Sequence, residues 1–209
     1  MIAIVDYGVG NLFSLSSSLK SIGADTVVTS DKQKILDSSK IILPGVGAFS
    51  DAQEKLQQSG LFDLIINEAK KGKQLLGICL GMQMLFEKSF EYGEFDGLGL
   101  IKGNIVPLEG KISPELKIPH IGWNSLDFKK EDSELFKYIN NGDFVYFVHS
   151  YFAADCKESV IATAEYGIDV TAAVQNENVF GCQFHPEKSS SVGLKILDNF
   201  LKISKEENK

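Results

Sequence analysis

The first eighty residues alternate between short apolar runs and longer stretches with helical spacing, and few architectures accept that alternation. Residues 1–6 form a strand-like run, and residues 12–22 form a helical one after the turn Gly8-Val9-Gly10-Asn11. Residues 27–28 and 40–43 look like further strands, and helical stretches at 48–57 and 61–71 precede a strand ending at Cys79. A strand, a helix and a returning strand pair in parallel, because the crossover carries the chain back to the same end. The pattern therefore predicts an α/β fold with a mainly parallel central sheet and helices on both faces. The second half is richer in strands, at 100–106, 144–148, 160–165, 171–174 and 179–184, and an amphipathic helix over 191–202 follows. No repeat, low-complexity tract or linker divides the 209 residues. One domain over 1–203 with a polar tail at 204–209 is expected.

Charge narrows the partners. The net charge is −7, and every basic residue other than histidine is lysine. Without arginine the chain has no bidentate guanidinium clamp for phosphate, and an acidic balance disfavours nucleic acid. No apolar run approaches the roughly 18 residues of a membrane span. The N-terminus begins on a strand with no basic region before it, so neither a signal peptide nor a membrane association is expected, and the expected location is cytoplasmic. Three cysteines, Cys79, Cys156 and Cys182, are an odd number without CxxC spacing. That disfavours a disulfide framework and a structural metal, and no cofactor is expected.

Cys79 lies in "LLGICLGMQ" (75–83), between an apolar run and residues Leu80, Met82 and 84–86 at helical spacing. A nucleophile on a strand-turn-helix corner flanked by small residues has the geometry of a nucleophile elbow. Gly77 and Gly81 leave room for the turn and for close helix-strand packing. The helix N-terminus would favour a thiolate, and the Leu80 amide would face the oxyanion formed when Cys79 attacks a carbonyl. A buried structural cysteine is the alternative, since free cysteine is among the most buried residues. The distinction rests on whether the chain supplies a base. His185 stands in "GCQFHPEKS" after an apolar run, with Glu187 two residues on. Pro186 favours extended geometry at His185, and residues two apart on an extended segment point the same way. One carboxylate would then orient one imidazole, which would take the thiol proton.

"GICLGMQ" together with "FHPEKS" resembles the triad-type (class I) glutamine amidotransferases, in which Cys, His and Glu hydrolyse glutamine to glutamate and ammonia. The resemblance spans essentially the whole chain and implies a single-domain, flavodoxin-like fold. "VDYGVGNLFSL" (5–15), "PGVGAF" (44–49), "PHIGWN" (119–124) and "VHSYF" (148–152) narrow it to a glutaminase subunit that works as a heterodimer with a (β/α)8-barrel cyclase. It implies an oxyanion strand at Val46 and Gly47, where glycines bracketing a valine let backbone amides approach a ligand. It further implies glutamine binding by Gly45, Gln83, Ser150 and Tyr151. Asn11, Pro119, Trp123, Tyr146 and Lys188 fall at positions near the partner surface and ammonia exit. Trp123 is the only tryptophan, and a core role is its alternative. His149 is expected to be a satisfied strand-end histidine and His120 to pack or hydrogen-bond near the partner surface. Other readings are a glutaminase serving a different or duplicated synthase, a stand-alone cysteine hydrolase of γ-glutamyl substrates, and a non-catalytic binding module.

Overall fold

The computed structural model describes residues 1–130 and 132–204, so the tail beyond Ser204 lies outside the described residues. The chain runs β1 (Ile2–Val5), α1 (Leu12–Ser21), β2 (Thr26–Thr29), α2 (Lys32–Asp37), β3 (Lys40–Gly45), α3 (Phe49–Gln58), α4 (Phe62–Lys70), β4 (Gln74–Cys79) and α5 (Leu80–Gln83). It continues through β5 (Phe86–Ser89), β6 (Phe95–Asp96), β7 (Ile101–Pro107), β8 (His120–Ser125), β9 (Asp127–Phe128), β10 (Phe144–His149) and β11 (Tyr151–Ala154). β12 (Val160–Glu165), β13 (Asp169–Asn176), β14 (Val179–Cys182) and α6 (Ser190–Lys202) complete it.

Every residue of β1, β3 and β4 is buried, and their side chains alternate between two cores. Ile2, Ile4, Ile42, Leu76 and Ile78 enter one core with Leu15 and Leu19 of α1 and Ile196, Leu197 and Phe200 of α6. Ala3, Val5, Ile41, Leu43 and Leu75 enter the other with Ile35 of α2, Phe49 and Leu56 of α3 and Ile65 of α4. The period of two thus separates the faces, and helices cover both.

The main sheet has eight strands in the order β2-β1-β3-β4-β14-β13-β12-β9. The first five run parallel and the rest pair antiparallel, so the sheet is mixed, and its parallel part carries the expected alternation. Short turns join β12 to β13 and β13 to β14, and a tight turn can only reverse direction. Two smaller sheets, β10-β8 and β11-β7-β5-β6, complete the fold.

Several elements differ from the sequence expectation. The helix after Cys79 lasts only four residues, and 86–89 is a strand rather than its continuation. Helix α2 has six residues, too few for its periodicity to stand out, and is capped by Asp31, whose carboxylate accepts from Gln33 N at 2.8 Å and Lys34 N at 3.2 Å. Strand β8, which overlaps "PHIGWN", alternates too weakly in polarity to be seen as one, and it forms by pairing with β10 from His120↔His149 to Ser125↔Phe144. Among the described residues no helix is long and apolar enough to cross a membrane.

Candidate active site

Cys79 is the last residue of β4, and its backbone takes φ 54° and ψ −112°, a left-handed conformation that a side chain rarely adopts. The surroundings enforce it. A Cβ on Gly81 would lie 1.8 Å from the carbonyl oxygen of Leu43, and one on Gly77 would lie 2.6 Å from the Gly81 oxygen. Only glycine lets α5 return this closely over β3 and β4. The corner expected from sequence is present, with a one-turn helix behind it. The first residue of that turn, Leu80, brings a backbone N–H with no partner inside the helix.

His185 arrives from the neighbouring strand. Strands β14 and β4 pair in parallel with Gly181↔Gly77 and Cys182↔Ile78, so the chain leaving β14 emerges beside Cys79. The His185 amide donates to Tyr146 O at 2.9 Å, and Ser189 Oγ donates to His185 O at 2.6 Å while accepting from Tyr146 N at 2.9 Å. These bonds fix the His185 backbone to β10. His185 is extended, but Pro186–Lys188 is a 3₁₀ turn rather than the expected extended segment. The turn curls the Glu187 carboxylate back to His185 Nδ1 at 2.7 Å, with both side chains about 3% exposed. Pro186 begins the turn, its fixed φ suiting that position.

Burial opposes a charged imidazole, yet the Cys79 sulfur and the Glu187 carboxylate outweigh it and lift His185 to about 9. Its Nε2 is buried and has no hydrogen-bond partner among the described residues, which leaves it free to exchange a proton. The other thiols are in different situations. Burial pushes both Cys182 and Cys156 upward, and neither lines the cavity at the elbow.

That cavity, about 360 Å³, is lined by Val46, Gly47, Cys79, Leu80, Gln83, Pro119, Ser150, Tyr151, His185 and Lys188 among others. It therefore gathers most of the residues singled out in the sequence. Gly45 is the exception among the expected ligand residues: it pairs with Cys79 and packs against Gly81, Leu80 and the Tyr7 hydroxyl, behind the cavity wall. Asn11 caps α1 by accepting from Ser14 N at 3.3 Å, away from the lining. Trp123 is 52% exposed and meets Tyr146 edge-on at 6.2 Å, and Lys188 lies 6.0 Å from the Tyr146 ring. A core role for Trp123 is excluded by that exposure. A larger groove of about 830 Å³ opens at the opposite end of the sheet, lined by Gln74, Glu134, Phe180 and lysines, with neither cysteine nor histidine among the described lining residues.

The sequence reading missed Glu91. Its carboxylate accepts from Phe49 N at 2.7 Å, capping α3 in place of Ala48, and also lines the cavity beside Tyr92. Nothing local to residue 91 announces this, because the cap joins two elements far apart in the chain.

Comparison with known proteins agrees with this geometry. The sequence profile described as glutamine amidotransferase class-I matches residues 3–203. A curated protein of Caldanaerobacter subterraneus subsp. tengcongensis, imidazole glycerol phosphate synthase subunit HisH, is 52% identical over 98% of this chain and 99% of its own. The protein of the same name from Sulfurimonas denitrificans is 49% identical over 97% of this chain and 98% of its own. A solved structure described as a glutamine amidotransferase superposes with a TM-score of 0.75, covering 96% of this chain and 97% of that one, at 18% identity that supports the fold alone. The chain belongs to the class-I glutamine amidotransferases, on the branch formed by the HisH subunits of imidazole glycerol phosphate synthase.

Proposed function

We propose that this chain hydrolyses glutamine to glutamate and ammonia in histidine biosynthesis, with Cys79 as nucleophile, His185 as base and acid, and Glu187 orienting the imidazole. The observation that carries the reading is the strained Cys79 corner opening on the same cavity as the buried His185–Glu187 pair. Thiolate attack on the side-chain amide would place the oxyanion near the Leu80 amide and the Val46–Gly47 backbone. His185 Nε2 would deliver the thiol proton to the departing ammonia, then activate water against the thioester. Among the lining residues Glu91 is the only carboxylate, and it suits the α-ammonium of glutamine. Gln83, Ser150 and Tyr151 would hold the rest of the amino acid.

The relatives are named as subunits, which implies a partner. We assign that partner as a (β/α)8-barrel cyclase of HisF type, which would use the ammonia to form imidazole glycerol phosphate and AICAR. Ile121, Trp123 and Phe144 are each more than half exposed on the β10-β8 sheet, and an apolar face there suits docking. Asn11, Pro119, Tyr146 and Lys188 would border the passage. Free ammonia protonates in water and then cannot attack, so a covered route serves the chemistry.

The test is a glutaminase assay of the chain alone, with the cyclase, and with the cyclase and its acceptor ligand. Turnover should rise at each step, because one unmade oxyanion donor at Val46 costs about 10²–10³ in rate. Cys79→Ser should abolish hydrolysis while ammonia-driven synthesis survives. Full activity of the isolated chain would support a stand-alone γ-glutamyl hydrolase instead.

A further inference from the structure

Two buried histidines and two buried glutamines lie outside the triad, and their hydrogen bonds join into one path. Asn124 Nδ2 reaches His120 Nε2 at 3.3 Å, and His120 Nδ1 reaches His149 Nε2 at 3.0 Å. His149 Nδ1 then meets the Tyr151 carbonyl oxygen at 2.9 Å. The same carbonyl accepts from Gln83 Nε2 at 3.1 Å, which also donates to Gln183 Oε1 at 3.0 Å. Gln183 Nε2 ends the path, 3.9 Å from Cys79 Sγ. His120, His149, Gln83 and Gln183 are all buried, Gln183 completely.

The direction of every bond follows from one atom. A carbonyl oxygen only accepts, so His149 Nδ1 carries the hydrogen that meets Tyr151 O. Burial holds His149 down to about 3 and His120 down to about 4, so both rings are neutral and each has one acceptor nitrogen. His149 Nε2 must accept, which makes His120 Nδ1 the donor and leaves His120 Nε2 to accept from Asn124. On the far side, Gln83 turns its N–H groups to Tyr151 O and Gln183 Oε1. Gln183 is left with its own N–H aimed at the sulfur. The rings are held in place as well, with His120 stacked between Phe147 at 4.8 Å and Tyr166 at 4.0 Å.

We propose that Gln183 is the donor that holds the Cys79 sulfur, and that Asn124, His120 and His149 are positioning residues that fix this donor through the Tyr151 carbonyl. A hydrogen bond to the charged form favours it, so Gln183 stabilises the thiolate without taking part in general-base chemistry. The inference rests on the glutaminase reading for its purpose. It also ties strand β8, where Asn124 adjoins exposed Trp123, to the nucleophile through a continuous series of bonds.

The decisive measurement is the pH dependence of Cys79 alkylation by iodoacetamide, followed by mass of the Cys79 peptide, with no glutamine present. The titratable groups around this sulfur are Tyr7 just after β1, His149 at the end of β10, His185 with its partner Glu187, and Glu91, Tyr92, Tyr151 and Lys188 in the shared cavity; all are retained in the variants. Gln183→Glu keeps the acceptor for Gln83 but turns a carboxylate oxygen toward the sulfur. The midpoint should move up by one pH unit or more, a tenfold loss of thiolate at fixed lower pH. Gln183→Met, of similar length, removes the donor without adding charge and should shift it in the same direction. It serves if the buried carboxylate prevents folding, as read by circular dichroism. His120→Phe preserves both stacks and should give a smaller shift of the same sign. Unmoved midpoints in the folded Gln183 variants overturn the thiol-holding role, and an unmoved midpoint in His120→Phe overturns the path from β8. Absence of glutaminase turnover would instead sink the proposed function and leave these profiles standing.

Discussion

Replacing Glu187 by Gln removes one negative charge from a buried, 2.7 Å contact with His185 Nδ1 and leaves the shape nearly unchanged. A hydrogen bond to a charged group contributes about 1.5–3 kcal/mol, and each 1.36 kcal/mol is one pKa unit. His185, lifted to about 9 in the intact protein, should therefore fall by about 1–2 units in the variant. Catalysis needs the imidazolium to protonate departing ammonia, so the alkaline limb of the rate profile should move from near pH 9 toward neutrality. Stability follows the same group. Its folded value lies above the ordinary 6.5, so its contribution is complete below that pH and fades as pH rises through about 9. In Glu187→Gln the fading should still begin near 6.5 but be smaller and end at lower pH. The rate at neutral pH should drop by about 10²–10⁴, less than for His185→Ala, since the orienting carboxylate costs less than the base. The assay is glutamine hydrolysis from pH 6 to 10 in the presence of the partner and its ligand, with melting temperature measured over the same range. An alkaline limb that stays where it is in the intact protein would show that Glu187 does not set the imidazole, and the triad would reduce to a pair.

Gly81→Ala should disrupt the elbow, because its methyl would sit 1.8 Å from Leu43 O, a backbone atom that cannot yield. A loss of about 3 kcal/mol or more is expected, read as a fall in melting temperature of about 6 °C or more, with activity lost in the fraction still folded. Trp123→Ala should cost about 1–2 kcal/mol, below the ~3–5 of a core aromatic, because the ring is 52% exposed. Its main effect should be on the dissociation constant for the partner, and an unchanged constant would remove Trp123 from the interface. Asp31→Ala should cost about 1 kcal/mol by leaving two N-terminal amides of α2 uncapped, with glutaminase activity untouched. Denaturant melts of this variant would contradict the cap if they matched the parent protein.

The alternation of strand and helix in the first half could be seen in the residues because each element is locally amphipathic or wholly apolar, and those patterns are short-range. The glycines at 77 and 81 and the His-Pro-Glu at 185–187 were equally visible, since tight packing and a fixed proline φ are local demands. Other features came into being only with the tertiary structure. The meeting of Cys79 and His185 depends on β14 lying beside β4 in the register Cys182↔Ile78, and strand order is a property of the whole sheet. The helix after Cys79 looks longer in sequence because Met84 and Leu85 suit a helix, yet β5 pairs with β7 and ends it after one turn. Glu91 caps a helix that begins at Phe49, and His120 finds His149 only because β8 pairs with β10. Contacts of this kind cost chain entropy to close and are settled by the packing of all elements together, so no window of neighbouring residues contains them.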